Sequence, residues 1–560
     1  MATFAVRTRT SLLLLALGAL PLSAWAQTGP PPSLPSGVDI IPGADAGAQA
    51  AEALRREERL RARASQELEA STGEVEAVEV EETKPGPAFL LRSVRFSKSE
   101  LLSEQQLRNI VTPYLGREVA HAQLMEIVEK VNRTYRQEGV YTAVAVLPQQ
   151  EIRDGVVIIR LIEGRLGKIR FEGNQYTSDA FFESWLSGHE GRETVDMPLL
   201  QADILAFNRV HDARVQAELR RGESFGLTDI VIKIQEPERG YFQGFTDNYG
   251  YESSGREELG FMYRHQHLLD DGDRAIAYLS ASEGAQSLSL GYNRPLGQSR
   301  WRAGVSGSLT RTDLKEGDFA TSDVNGDSYR IGMESSWLAW SGERMWLDMV
   351  GALGYTRSTT EIAGVVFSDD AIVRAELGAS FTWIGSRWQV SGRQTAAFSD
   401  LDDKSDVGSA QQASSEVLFN GGLSGYYRFG ASGFYSLAAA EWQYSDAEAL
   451  PGSLSFTLGG PASVRAYLPS AVSGDSGWYG QVEAHYDAWQ LLGVAVDAFA
   501  FYDYGEAESL NPSQTLAAAG LGLSLTERVW SLELTVAAAM RDVLPTQDDE
   551  VLFARFSYRY

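Results

Sequence analysis

The feature that most constrains the fold is an alternation of apolar and polar residues, with a period of two, from residue 238 to the end of the chain. In WYGQVEAHY, for example, Trp478 and Val482 fall on one face and Glu483 and His485 on the other. This period is typical of β-strands with one apolar and one polar face. Soluble sandwiches share the pattern, but here the aromatic residues of the apolar face fall at strand ends, as in the interfacial girdles of membrane barrels.

Sixteen segments carry the alternation, an even number as in bacterial outer-membrane barrels. Beyond residue 26, no stretch of the chain is long and apolar enough for a transmembrane helix. If the protein enters a membrane, it must therefore do so as a closed barrel. The predicted strands are 240–248, 257–265, 274–283, 286–293, 301–310, 328–339, 343–356, 371–384, 386–398, 414–427, 433–444, 477–487, 493–503, 516–526, 530–541 and 551–560.

The lengths of the connections predict the orientation of this barrel. Long polar connections, such as 312–327, 356–370 and 400–415, follow odd-numbered strands, whereas 340–342 and Gly385 follow even-numbered ones. Long loops of such barrels face outside and short turns face the periplasm. We therefore expect everything before residue 238 to lie on the periplasmic side.

The N-terminal region has the composition of an exported chain. Residues 1–26 combine two arginines, an apolar run and a small-residue cleavage site, which predicts a signal peptide. Residues 27–45 form a proline-rich linker, 46–71 a polar helix and 72–87 a second linker. The helix is interpreted either as a solvated tether or as a plug in a wet lumen, and its composition does not decide between them. A net charge of -26 argues against a nucleic-acid partner.

Residues 88–166 and 167–237 each predict a β-α-α-β-β order, so two small α+β modules follow each other. A capping box of Ser103 and Gln106 marks the start of the first helix. A sheet edge bordered by a helix suggests a surface that accepts an extended chain by strand addition. Rigid spacers explain the same pattern equally well.

The loop at 446–476, called the lid loop below, is long enough to fold back into the barrel. It contains Arg465, whose charge is energetically costly in contact with lipid. This arginine therefore needs an acidic or carbonyl partner inside the barrel. On the strand 493–503 the alternation turns Asp503 inward, and we expect the two side chains to form a charge-assisted pair. Gly505 would leave space for the close approach of the loop.

These features resemble the transporters of two-partner secretion. The resemblance implies a multidomain fold: an N-terminal plug helix, two POTRA modules, and a 16-stranded antiparallel transmembrane β-barrel over 238–560. Two motifs carry it, one in the lid loop and one on the barrel wall: Val464, Arg465, Ala466 and Tyr467, and Phe501, Asp503 and Gly505. Ala466 stands where the family has glycine. Because alanine disfavours positive φ, we expect a slightly different loop tip here if that glycine needs such a conformation.

The resemblance further implies a monomeric pore in the outer membrane of a Gram-negative bacterium. Its POTRA modules would bind an unfolded secreted partner of haemolysin or adhesin type, which crosses to the surface without ATP. An insertion and assembly factor of the same superfamily is the alternative, and a barrel enzyme such as a hydrolase is the less favoured one. The sequence shows neither a phosphate-binding loop nor a zinc-protease spacing, and we predict no catalytic residue, cofactor or metal.

Overall fold

The computed structural model of the chain describes Gln49 and residues 88–560, with gaps at 100, 139–142, 149, 151, 153, 164, 187–196, 224–226, 317–320, 404–414, 448–449, 509–512 and 544–547. The predicted signal peptide and linkers, and the predicted plug helix except Gln49, lie outside these residues. Among the helices within these ranges, none is both long and apolar enough to cross a membrane.

The first module packs two helices against a three-stranded sheet. Its elements are β1 (Phe89–Leu90), β2 (Ser93–Phe96), α1 (Glu104–Val111), β3 (Glu118–Val119), α2 (His121–Gln137), β4 (Ala143–Val146) and β5 (Val156–Glu163). The sheet order is β2-β5-β4. The predicted capping box is confirmed, because the Gln106 N–H donates to Ser103 Oγ and the Ser103 N–H to Gln106 Oε1. Buried residues of α2, including Ile127, Val131 and Tyr135, form the core with the sheet.

The second module repeats this arrangement. It comprises β6 (Arg165–Glu172), α3 (Asp179–Leu186), α4 (Met197–Val210), β7 (Arg214–Arg221) and β8 (Leu227–Gln235), with sheet order β6-β8-β7. The module contacts one end of the barrel, and the opposite end is called the far end below. Ser178 Oγ donates to Asp271 Oδ2 at 2.6 Å, and Arg302 Nη1 donates to the Val210 carbonyl at 2.7 Å. The Arg209 guanidinium lies 3.5 Å from the ring centroid of Trp346.

In the described part of the chain, sixteen antiparallel strands close into one barrel, which confirms the predicted fold class. They are β9 (Gly240–Asp247), β10 (Glu258–Gln266), β11 (Arg274–Ala281), β12 (Ala285–Pro295), β13 (Trp301–Asp313), β14 (Val324–Ser341), β15 (Met345–Ile362), β16 (Val365–Ile384), β17 (Trp388–Asp403), β18 (Ser415–Arg428), β19 (Phe434–Ser445), β22 (Ser476–Leu491), β23 (Val494–Glu508), β24 (Gln514–Glu527), β25 (Trp530–Ala539) and β26 (Glu550–Arg559). The last strand pairs with the first, from Arg559 opposite Gln243 to Arg555 opposite Asp247.

The two faces of the strands differ as the alternation predicts. On β22, Trp478 and Val482 are exposed on the outer face, whereas Tyr479, Glu483 and His485 are buried on the inner face. Outward aromatic residues gather at strand ends near the modules, and Trp301 stacks on Trp337 with centroids 5.9 Å apart. The apolar outer band and its aromatic rim are those of a membrane barrel.

The loops at the far end of the barrel are shorter than the sequence predicts, so the predicted bounds of the long connections are wrong. The segment 356–370 is not a loop, because β15 and β16 continue to a two-residue turn at Ala363 and Gly364, both with positive φ. Positive φ at both central residues is the type I′ geometry that suits a hairpin. Likewise β13 runs to Asp313 and β14 starts at Val324. The prediction ended strands where the apolar face ends, but backbone pairing continues beyond it.

Candidate functional site

The lid loop folds into the barrel. Within it, β20 (Phe456–Leu458) and β21 (Val472–Gly474) form a short antiparallel hairpin that carries the turn between them inward. Its apolar side chains share one buried cluster with inward residues of the wall: Phe456, Leu458, Val464, Tyr467, Val472, Phe499, Phe501, Leu516 and Phe553. A loop that buries so many large side chains has a defined position rather than a solvated one.

Arg465, at the tip of this loop, makes the densest set of polar contacts in the site. Its Nε donates to Asp503 Oδ2 and its Nη2 to Asp503 Oδ1, both at 2.7 Å, so the pair is bidentate. Its backbone N–H also donates to Asp503 Oδ2 at 3.1 Å. Nη1 donates to Glu483 Oε1 at 2.7 Å, and the guanidinium lies 3.5 Å from the ring centroid of Phe501. The guanidinium is thus held from three sides.

The other lid-loop motif residues also point into the protein. Val464 is fully buried in the apolar cluster. The Tyr467 hydroxyl lies 2.9 Å from the carbonyl oxygen of Ala517 and 3.0 Å from that of Arg541, and it donates its one proton to either of them. Because Ala517 lies on β24, Tyr467 attaches the loop to a second part of the wall, one strand beyond Asp503.

Ala466 adopts the backbone conformation that glycine favours, although alanine disfavours positive φ. Its φ is 72° and its side chain is buried. Positive φ costs an L-residue on the order of 1 kcal/mol. The contacts of Arg465 and Tyr467 on either side fix the backbone there, and the buried methyl group offsets part of the cost.

The three wall residues lie on consecutive inward positions of β23. Phe501 stacks under the guanidinium, and Asp503 is completely inaccessible to solvent. A Cβ on Gly505 would lie 3.0 Å from Leu458 Cδ2 and 3.0 Å from Tyr479 Cβ. Glycine therefore allows the hairpin of the lid loop to approach the wall. The structure brings together all seven residues of the two predicted motifs.

Sequence reasoning missed the partners on β22. Glu483 was placed on the inner face but not beside Arg465, and His485 continues the network by contacting Glu483 Oε2 through Nε2 at 3.0 Å. Gln481 Nε2 donates to the Ser463 carbonyl at 2.7 Å. The signal that could have found them is register: β22 lies between β19 and β23, so its inward residues flank Asp503.

Beside the lid loop lies a cavity of about 1130 Å³. Its lining carries charged and small polar side chains, among them Arg330, Glu334, Arg374, Ser380 and Arg393. Gln49, from the predicted plug helix, is buried at the far end, where Ser254 Oγ and Thr312 Oγ1 lie 3.5 and 3.4 Å from its Oε1. The interior of the barrel is thus polar along one side and occupied by the lid loop on the other.

These contacts attach the lid loop to the barrel wall through one buried cation and two buried anions. The geometry of a buried guanidinium and two buried carboxylates defines one position for the loop. The cost of removing these charges from water offsets much of the attraction between them. Withdrawing the loop would return all three groups to water, so the ion pairs stabilise the inserted loop by far less than their number suggests, and the buried apolar cluster supplies the rest of its stability.

Comparison with protein families gives two matches. A family model described as haemolysin secretion/activation protein ShlB/FhaC/HecB matches residues 226–526. A POTRA domain of ShlB type matches residues 89–164, which is the first module. The first match alone covers more than half of the 560 residues.

Individual relatives agree with these matches. The outer membrane transporter CdiB of Dickeya dadantii is 28% identical over 483 residues, 80% of this chain and 83% of the relative. The heme/hemopexin transporter protein HuxB of Haemophilus influenzae is 24% identical over 471 residues, 79% and 82% of the two chains. The solved structure of CdiB from Escherichia coli superposes with a TM-score of 0.65 at 20% identity, covering 92% of this chain and 99% of that one. BamA from Haemophilus ducreyi shares the fold with a TM-score of 0.53 at 14% identity, covering 84% and 99%.

Proposed function

The chain belongs to the haemolysin secretion/activation protein family, the outer-membrane transporters of two-partner secretion, and from that premise we propose that it carries an unfolded partner protein from the periplasm to the cell surface. The partner is a large secreted protein of haemolysin or adhesin type. It enters from the POTRA side and leaves at the end where the lid loop is anchored. The seven motif residues described above form the latch of this pore.

The observation that carries the proposal is the contact of Arg465 with Asp503 and Glu483 inside a closed barrel. A pore wide enough for a polypeptide would leak solutes unless something blocks it at rest. A loop held against the wall by Arg465, Tyr467 and the apolar cluster would block the lumen, and its withdrawal would open the pore. Gln49 lies inside the same barrel, which supports a plug rather than a tether for residues 46–71.

The modules supply the capture surface in this proposal. Their sheet orders leave β4 and β7 at an edge, each beside a helix of its own module. On the first module, Val144 of β4 and Ile158 of β5 are exposed apolar residues. An extended partner segment would add to such an edge through backbone hydrogen bonds and place side chains on the apolar surface.

Transport is proposed to need no nucleotide. The periplasm has no ATP, so the driving force would be folding of the partner outside, which prevents it from sliding back. Folding free energies of about 5–15 kcal/mol are ample for a directional bias of this kind.

The proposal is tested by comparing strains with and without this gene. The quantity measured is secretion of a repeat-rich exported protein that is encoded beside it. Partner in the medium only when the gene is present supports transport. Normal secretion with defective assembly of other barrels would instead indicate an insertion factor. Secretion that is unaffected, with loss of a hydrolytic activity on lipid or peptide, would indicate an enzyme.

A further inference from the structure

His485 lies beneath the lid loop with a carboxylate at each of its ring nitrogens. Nε2 is 3.0 Å from Glu483 Oε2, and Nδ1 is 3.1 and 3.2 Å from the two oxygens of Asp497. Glu483 in turn accepts from Arg465 through its other oxygen. The hydrogen bonds therefore run without interruption from Asp497 through His485 and Glu483 to the lid loop.

These distances determine how many protons the imidazole carries. A neutral histidine has one N–H and one lone pair, so one of the two carboxylates would face a lone pair at about 3 Å. Two N–H groups satisfy both carboxylates. The geometry thus favours the imidazolium form, with a positive charge between two negative ones.

The neighbours of His485 suit a cation. Its ring lies between Tyr435 of β19, with centroids 4.4 Å apart, and Phe499 of β23, 4.8 Å apart. Aromatic faces attract a cation. The Tyr435 hydroxyl donates to Asp497. The nearby Asp487 is paired with Arg428.

We propose that His485 is a positioning residue for the lid loop: as an imidazolium it orients Glu483 toward Arg465, so that seating of the loop is linked to one proton on His485. This deepens the proposed role of the latch and rests on it. When His485 loses that proton, either Glu483 or Asp497 loses a donor, Glu483 is held less firmly, and the loop withdraws more often.

The proton itself can be observed directly. The full-length protein, labelled with ¹⁵N in its imidazole rings and kept in detergent, has six histidines to resolve. At pH 7 we expect one ring with both nitrogens protonated whose signals are absent in His485→Gln. A His485 ring with a single N–H at that pH would overturn the proposal, because the proton would then reside on a carboxyl group.

The effect on the loop has a separate readout, made simple by the absence of cysteine from the chain. Val464 is fully buried, so Val464→Cys reacts with a small maleimide only when the loop withdraws. At pH 6 we expect His485→Gln to speed this labelling about tenfold, since an amide supplies a donor to only one carboxylate. At each pH the labelling rate with His485→Gln is divided by the rate without it. This ratio removes the effect of thiol ionisation, which is the same in both proteins.

With rising pH this ratio should approach one, because wild-type His485 loses its extra proton. The matched control is His265→Gln, since His265 lies on β10 beside Tyr263, away from the lid loop, and should leave the rate unchanged. A ratio of one at every pH, or a ratio independent of pH, overturns the proposal. Neither measurement involves secretion, so failure here is distinct from failure of the transport function.

Discussion

Replacing Arg465 by alanine should release the lid loop without unfolding the barrel. Truncating one partner of a buried ion pair costs about 3–5 kcal/mol, because the remaining charges are left buried without a partner. Here two carboxylates are left, one of them inaccessible to solvent. The loop can avoid that cost by withdrawing, which hydrates both. At about 1.4 kcal/mol per tenfold, the population of withdrawn loop should rise by at least about a hundredfold.

Maleimide labelling of Val464→Cys measures this change, with and without Arg465→Ala. The control is Arg555→Ala, which removes another inward arginine, one that pairs with Asp247 at the barrel seam at 3.6 Å rather than with the lid loop. We expect about a hundredfold faster labelling for the first variant and no change for the control. A change of less than about threefold, with the barrel folded, would refute the reasoning.

The same assay tests whether Arg465 and Asp503 act as a pair. Asp503→Ala should release the loop and lower secretion as Arg465→Ala does, with the barrel assembled normally. The double variant should be little worse than either single one, because the second truncation removes a group that has already lost its partner. Additive effects would mean that the two residues act independently.

Three further predictions follow from other parts of the chain. Ala466→Gly should change the stability of the inserted loop by less than about 1 kcal/mol, because the strain removed at positive φ and the burial lost with the methyl group nearly cancel. Ala466→Val should release the loop in the labelling assay, because a β-branched residue tolerates positive φ poorly. Deleting residues 46–71 should raise single-channel conductance in planar bilayers, and unchanged conductance would exclude a plug. Burial, and secondarily Arg302, lowers the pKa of His211 to about 3. In the unfolded chain a histidine has a pKa of about 6.5. The free energy of unfolding of the second module should therefore be highest above that pH and fall as the pH drops toward 3. Thermal unfolding of His211→Phe should lack this pH dependence.

The barrel was predictable because its signal is repeated. A period of two needs only the distinction between apolar and polar residues, and each strand of the barrel gives it independently. The ends of the strands were not predictable in the same way. Residues 356–361 and 368–370 continue the sheet with polar side chains on both faces, so the alternation of hydropathy stops there while hydrogen bonding does not.

The site was predictable only in part, for a physical reason. Arg465 and Asp503 could be paired because a buried charge needs an opposite charge and the alternation of β23 turns Asp503 inward. Glu483 and His485 depend on the register between β19, β22 and β23, which alternation alone does not define. The positive φ of Ala466 is set by contacts on both sides of it, so the preference of alanine alone does not predict its conformation.

The partner is proposed to pass through the interior of the barrel. This proposal is tested most directly by photocrosslinking a partner stalled during export, from residues on either face of β16. Ser380 lines the cavity, whereas Leu377 is 74% exposed on the outer face. A crosslinker at Ser380 should capture the partner, and one at Leu377 should not. Capture from Leu377 alone, or secretion with capture from neither position, would contradict the account.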